Sequence, residues 1–510
     1  MRNFFGHPPG LFICFMTEMW ERFSFYGMKA LLTLYVAKHF LFSDQGSYQI
    51  FGAYTALVYA GPVIGGYIAD RYLGFRKAVT LGAILLVLGH FGMAFEGAPA
   101  METVAADGTR LVDRDPFYLQ IFYLSLGLII TGVGFLKPNI STIVGALYAP
   151  EDPRRDSGFT IFYMGINLGS WIATILCGYL GETYGWAYGF GLAGIGMLFG
   201  LIFFLWGQKY LEGKAEPHDP ELLRRRSPIG LSVENTIYLA TLGGVLIAWF
   251  LVQSYSLIGT LLGGFSAAVA AGILYFSFFR CTTVERDRMI VALVLTTFSV
   301  MFWALFEQAG SSLTLFADRN VDRDVLGFHI KASQFQALNP MFIILCAPLF
   351  AGLWVALARR WLEPSTPMKF ALGLVQVGVG FLILVYGTRY ADENFLVPAI
   401  WIVLAYFFHT TGELCLSPVG LSMITKLSVQ RVVGLMMGIW FLSSAGAQYI
   451  ASLIAMGTSA ETAGGVALDR GAALQGYVDV FQNIGLWGVG MGIVLVVLTP
   501  LLRKGMHGIH

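Results

Sequence analysis

Apolar residues run through this chain in long blocks separated by short polar breaks, and the blocks have membrane-crossing length. A helix needs about 20 residues, at about 1.5 Å each, to cross the hydrocarbon of a bilayer. Apolar runs read against breaks give fourteen spans. Six lie at about 11–40, 47–71, 78–97, 117–148, 158–183 and 186–209. Two follow at about 233–253 and 257–280. The last six lie at about 288–318, 333–361, 367–390, 395–426, 430–458 and 475–502. The pattern predicts an all-α polytopic membrane protein. Composition agrees, because 56% of the 510 residues are hydrophobic and 12% are charged, whereas a soluble chain carries about 25% charged residues. The 61 glycines suit helices that must approach closely in lipid.

The polar breaks set the organisation. A basic, proline-containing stretch from Glu212 to Pro228 divides the chain near its middle, with six spans before it and eight after. The pair at 233–280 carries no charge between Thr236 and Phe279, which marks it as an insertion rather than a site of polar chemistry. Three segments are therefore expected: a six-helix bundle at 1–211, a linker with two inserted helices at 212–287, and a second six-helix bundle at 288–510. Arg71, Arg76 and Lys77, then Arg154 and Arg155, Arg224–Arg226, Arg280, Arg286 and Arg288, Arg359 and Arg360, and Arg503 and Lys504 all fall on one side of such a topology. The positive-inside rule then puts both termini in the cytoplasm. The first span is too long and too charged for a cleavable signal peptide. Cys14, Cys177, Cys281, Cys346 and Cys415 are odd in number and widely spaced, so neither disulfides nor a metal site is expected.

Against this apolar background the run Glu18-Met-Trp-Glu21-Arg22-Phe23-Ser-Phe25-Tyr26-Gly27 stands out. Glu18, Glu21 and Arg22 are spaced i, i+3, i+4 and share one helix face. Burying even one such charge near the midplane costs a few kcal/mol, so the three are expected beside a water-filled cavity; a purely structural ion pair is the alternative. Away from helix ends the spans hold seven charges: Glu18, Glu21, Arg22, Lys29, Lys137, Glu307 and Glu413. Four acids against three bases leave one carboxylate in surplus, a place for a proton to load and leave. Lys137 has Glu18 or Glu21 as prospective partners, and Lys29 has Glu307. No HExxH, GxSxG, nucleotide-binding loop or His/Cys cluster is present, so no enzyme activity is expected. His39, His90, His329 and His409 lie near ends or in isolation and suit packing or surface roles.

Several motifs point the same way. Gly66-Tyr-Ile-Ala-Asp70-Arg71-Tyr-Leu-Gly74-Phe-Arg76-Lys77 resembles the loop signature of the major facilitator superfamily, in which Asp70 and Arg76 would brace a cytoplasmic gate. The Glu18–Gly27 run resembles the ExxERFxYYG motif of the proton-dependent oligopeptide transporter family. Phe162-Tyr163-Met-Gly-Ile-Asn167-Leu-Gly-Ser170, Phe135-Leu-Lys137-Pro138-Asn139, Phe302-Trp303-Ala-Leu-Phe306-Glu307-Gln308 and Gly412-Glu413-Leu-Cys-Leu-Ser417-Pro418 resemble that family's signatures on its fifth, fourth, seventh and tenth helices. The resemblance covers essentially the whole chain, including the extra helix pair. Two departures stand out: Phe25 replaces the first tyrosine of the pair, and Lys29 stands where many members carry Arg. The second-helix histidine of animal members has no counterpart, since that region reads Phe51-Gly52-Ala53-Tyr54.

The resemblance implies a major facilitator fold of two six-helix bundles plus two helices, fourteen in all. It implies a bacterial inner-membrane importer of di- and tripeptides, coupled to protons and without a cofactor or metal. Glu18, Glu21, Arg22, Lys137 and Glu307 would carry proton coupling. Glu413, Asn167 and Asn339 would hold the peptide's amino end, with Ser417 one turn from Glu413, while Lys29 and Lys137 would face its carboxylate. Tyr26, Tyr59, Trp303 and Trp440 would line side-chain pockets, and Glu307 would serve binding as well as coupling. The expected partners are peptide, protons and membrane lipid, with no nucleic acid, and the working unit a monomer. Nitrate or peptide-like drugs as substrates, or nutrient sensing without transport, are the alternatives.

Overall fold

A computed structural model of the chain describes residues 6–106, 110–149 and 151–509, apart from the side chains of Val419 and Leu421. Its helices follow the apolar blocks. They are α1 (Pro9–Lys38), α2 (Asp44–Ile68), α3 (Phe75–Met93), α4 (Pro116–Ala146), α5 (Arg155–Tyr184) and α6 (Trp186–Gly207). A short α7 (Pro220–Arg224) precedes α8 (Val233–Val252) and α9 (Tyr255–Arg280). Then come α10 (Thr283–Phe306), α11 (Ser312–Asn320), α12 (Leu338–Arg359), α13 (Thr366–Gly387), α14 (Ile400–Leu427), α15 (Val433–Met456) and α16 (Arg470–Gly505). A small antiparallel hairpin, β1 (Met101–Val104) with β2 (Arg110–Asp113), joins α3 to α4.

Local chemistry sets where the helices begin. Asp115 caps α4 by accepting from the Phe117 N–H at 2.9 Å, and Pro116 fills a first-turn position whose N–H would go unused. Thr282 and Glu285 form a reciprocal capping box at the start of α10. Ser232 caps α8 through the Asn235 N–H.

Thirteen helical segments among the described residues are long and apolar enough to cross a membrane. The 30-residue α1 is the fourteenth; Glu18, Glu21, Arg22 and Lys29 along its length keep it out of a count by hydropathy. The expected spans coincide with these segments, with one internal difference. The span expected at 288–318 is broken: α10 gives way to a tight turn at Glu307–Gly310 before α11 resumes. Gly310, Ser311 and Ser312 follow the break, and small and hydroxylated residues of this kind are where helices kink.

The chain packs as two units. One holds the chain up to Leu41 and Ala53–Tyr255, the other Phe42–Gly52 and everything from Ser256 onward. In the first, α1 packs on α5 and α6, and α3 on α4. One close approach is α2 against α4, where a Cβ on Gly65 would lie 2.1 Å from the Gly134 carbonyl oxygen, so only glycine fits. In the second, α13 packs on α14 and α16, and α10 on α15. The inserted pair is divided by its packing. Helix α8 lies against α4 in the first unit, and α9 belongs to the second.

Candidate functional site

The polar residues of the first unit gather on α1 and α4. Arg22 Nε lies 2.9 Å from Glu18 Oε1 and 2.5 Å from Glu21 Oε2. The Glu21 side chain is fully buried, and those of Glu18 and Arg22 nearly so. The contact with Glu21 is close but poorly aligned. Both Glu21 carboxylate oxygens, Glu18 Oε2 and Arg22 Nη2 lack hydrogen-bond partners among the described residues. Buried polar atoms are almost always paired, so a knot of four without partners among the described residues is a costly arrangement to bury. Lys137 sits one residue before Pro138 in α4, and its Nζ lies 4.5 Å from the centre of the Tyr59 ring. It is within electrostatic range of Glu18, Glu21, Arg22 and Lys29. Lys29, also buried, lies with its Nζ 5.9 Å from the Tyr26 ring.

Pro138 cannot donate to the α4 ladder, and its neighbour Asn139 stitches the bend. Asn139 Nδ2 donates to the Phe135 carbonyl at 2.6 Å and, at 3.5 Å, to that of Gly65 on α2. Asn167 is buried on α5 and donates back to the Tyr163 carbonyl at 3.1 Å.

In the second unit Glu413 is buried on α14, and its Oε2 accepts from Asn339 Nδ2 at 2.9 Å. The same amide reaches Thr410 Oγ1 at 3.1 Å. The partner identified for this carboxylate is thus a neutral amide. Glu307, buried at the α10 break, lies within electrostatic range of Glu413. Trp303 packs edge-on against Phe302 and Phe306, at 5.3 and 5.2 Å between ring centres. Ser417 and Trp440 are half-buried, and the edge of the Trp440 ring lies against Gly420.

The loop expected to brace a gate is anchored through Arg76. The turn that follows α2, Ala69–Leu73, ends at Gly74, whose φ of +77° and close approach to Pro217 both require glycine. Asp70 is exposed. Arg76 grips Glu216 with two nitrogens, at 2.5 and 2.9 Å, and reaches Gln208 at 3.2 Å. The Arg76 hydrogen bonds hold the Glu216 carboxyl below the usual range.

One cluster escaped the sequence reading. Asp44 and Arg319 form a buried ion pair, and close by the Tyr48 hydroxyl lies 3.1 Å from Thr458 Oγ1. The available signal was two charges, Asp44 and Arg319, just beyond the expected span ends. Gln308 was quoted only as part of a motif, yet it is fully buried and donates to the Ala304 and Ala451 carbonyls while accepting from Ser312.

A profile of the POT family matches residues 76–467. The chain belongs to the POT family. It is 35% identical to a peptide transporter of Yersinia enterocolitica over 89% of its length and 88% of that protein. It is 33% identical to a di-/tripeptide transporter of Lactococcus lactis over 100% of its length and 98% of that protein. The crystal structure of a mutant POT peptide transporter in complex with alafosfalin superposes with a TM-score of 0.82, at 37% identity, covering 99% of this chain and 97% of that one. Membership makes the fold a transporter fold and the protein a multi-pass membrane transporter.

Within this POT chain one departure from the family motif, Phe25, has a structural explanation. The Phe25 ring stands 5.5 Å from the Arg22 guanidinium, edge-on to Tyr26 and stacked with Tyr54. A phenylalanine there gives the cation a ring face without adding another hydroxyl. Tyr54, near the position of the histidine in animal members, is fully buried with an unpartnered hydroxyl among the described residues.

Proposed function

We propose that this chain is a proton-coupled symporter that imports di- and tripeptides by alternating access. One observation carries the coupling: two buried carboxylates share one guanidinium in the Glu18–Glu21–Arg22 knot, and three of their four oxygens have no hydrogen-bond partner among the described residues. A proton arriving there neutralises a costly buried charge and frees Arg22 and Lys137 to re-pair. Glu307 completes the relay in this reading.

A dipeptide zwitterion needs an acidic pole for its ammonium and a basic pole for its carboxylate. Glu413, with Asn339 and Asn167, supplies the first; Lys29 and Lys137 supply the second. Tyr26, Tyr59, Trp303, Ser417 and Trp440 shape the space for side chains. The names of the relatives support a peptide substrate. The two bundles, 1–211 and 288–510, do the transport, and 212–287 is accessory, with Arg76 and Asp70 on the gate side. The protein works as a monomer in a bacterial inner membrane with both termini in the cytoplasm. It uses protons and no cofactor, performs no enzymatic step and binds no nucleic acid.

The test is uptake of labelled dialanine into proteoliposomes, with and without an inward proton gradient. Accumulation that an uncoupler abolishes supports the reading. Absence of gradient-dependent dialanine uptake, with nitrate then accumulated by the same vesicles, replaces peptide by an inorganic anion on the same scaffold.

A further inference from the structure

The peptide chemistry leaves α9 unused. Few of its residues are buried, and Ile258, Ile273 and Ser277 are those that are. Beside it a cleft of about 500 Å³ opens between α9, α10 and α15. Leu262 and Ile273 of α9, Leu293 and Val300 of α10, and Leu442 and Ile450 of α15 form its walls. Three of the lining hydroxyls are turned into their own helices, while those of Ser266 and Tyr449 also border the cleft. Thr296 donates to the Ala292 carbonyl at 2.8 Å, Thr297 to Leu293 at 3.0 Å and Ser443 to Trp440 at 2.7 Å. The space that remains is lined mostly by hydrocarbon and suits an acyl chain rather than a peptide.

One end of this cleft is basic. Arg280 closes α9 seven residues beyond Ile273, about 10 Å along the helix, and Arg286 precedes Leu293 on α10 by the same interval. Arg431 lies in the turn Gln430–Val432 that leads into α15. Arg280 and Arg431 meet there, Arg431 Nη2 donating to the Arg280 carbonyl at 3.3 Å; Arg286 follows Glu285, which lies 3.8 Å from Arg431. Phe276 and Phe278 back them, with guanidinium-to-ring distances of 5.5 Å from Arg431 and 5.8 Å from Arg286. The nearby acids are already engaged. Glu285 accepts from the Thr282 N–H at 2.9 Å, and Asp287 is held by Arg286 and His507. Arg280 and Arg431 are exposed.

An apolar slot that ends in clustered arginines at the membrane surface has the chemistry of a phospholipid seat. We propose that the α9–α10–α15 cleft binds an anionic phospholipid from the leaflet on the basic side, with its acyl chain in the cleft and its phosphate among Arg280, Arg286 and Arg431. That leaflet is the cytoplasmic one in the orientation proposed above. The lipid then fills the space left between α9 and its neighbours α10 and α15 on this face.

Native mass spectrometry of the delipidated protein, titrated with phosphatidylglycerol or with phosphatidylcholine of identical chains, tests the assignment. Phosphatidylglycerol is expected to bind about tenfold or more tightly, since each arginine near the headgroup adds attraction. Arg280→Gln with Arg431→Gln should bring phosphatidylglycerol down to the phosphatidylcholine level. Gly263→Leu should weaken both lipids, because a Cβ there meets nothing within 4 Å and the added side chain fills the cleft without displacing the fold. Equal binding of the two lipids by the unaltered protein overturns the proposal. So does full phosphatidylglycerol binding by both the arginine and the glycine variants.

Discussion

Asp44 and Arg319 grip one another with two parallel bonds, Nη1 to Oδ2 at 2.6 Å and Nη2 to Oδ1 at 2.7 Å, with side chains only 1% and 3% exposed. Asp44 Oδ2 also accepts from the Ala460 N–H at 2.9 Å. Asp44 opens α2, a helix whose first residues pack with the second unit and whose remainder belongs to the first. Removing one partner strands the other in the interior, at about 3–5 kcal/mol. Asp44→Ala and Arg319→Ala should each lower the thermal midpoint of the purified protein markedly. The double variant should fall little further than the worse single one. Fully additive losses would mean that the two residues act separately.

Glu21→Gln should reduce gradient-driven peptide accumulation to the passive baseline while leaving counterflow exchange measurable, because the amide keeps the shape of the side chain and takes no proton. Proteoliposomes assayed in both modes separate the two effects. Uphill uptake at the normal level in the variant would remove Glu21 from coupling.

Glu413 and Asn339 act on the ammonium in the proposed binding mode, and a hydrogen bond to a charged group is worth about 1.5–3 kcal/mol. Glu413→Ala should therefore raise the KM for peptides with free amino ends by about tenfold or more. Competition by N-acetylated peptides should change far less. Equal losses for both classes would rule out the assignment.

Two glycines test helix contact against mere flexibility. Gly65→Ala should depress the thermal midpoint, because its methyl would meet the Gly134 carbonyl, whereas Gly243→Ala, with nothing within 4 Å, should not. A similar response at both sites would show that the α2–α4 contact is looser than described.

The Arg76–Glu216 clasp carries a pH signature. The folded Glu216 carboxyl titrates below its unfolded value because Arg76 hydrogen-bonds the charged form. The stabilisation is complete above the unfolded value, about 4.3, and is lost as pH falls through the lower folded one. Hydrogen-exchange protection of the Arg76 amide, which donates to the Ala215 carbonyl, should hold down to about pH 4 and decline below it. Arg76→Gln should show the loss already at pH 7. Unchanged protection in that variant would refute the clasp.

Helix positions were readable because hydropathy over about 20 residues is itself the physical requirement for crossing a bilayer. The charges inside the spans were readable too, since Glu18, Glu21, Lys137 and Glu413 are conspicuous inside apolar runs. The α10 break was missed because Glu307-Gln308-Ala-Gly310-Ser311-Ser312 is a short interruption, the apolar run resumes at Leu313, and hydropathy over a whole span still reads as one segment. The Asp44–Arg319 pair was hidden differently. Its members are 275 residues apart, and each lies just outside an expected span, where a charge reads as an ordinary loop residue. The allotment of α8 and α9 to different units was also invisible, since both helices are uniformly apolar and their packing partners are written in shape.

Helix α1 is synthesised well before α5 and α6, the helices it packs against. Charged residues at the centre of a helix each oppose its release from the insertion machinery into lipid by about 2.5–3.5 kcal/mol, and α1 carries Glu18, Glu21, Arg22 and Lys29. Internal pairing through Arg22 relieves part of that opposition at once, inside a single helix. The remainder is relieved only when later helices arrive to enclose the charged face. The residues proposed to capture protons in the finished transporter thus also make its assembly cooperative, binding the fate of α1 to sequence more than a hundred residues downstream.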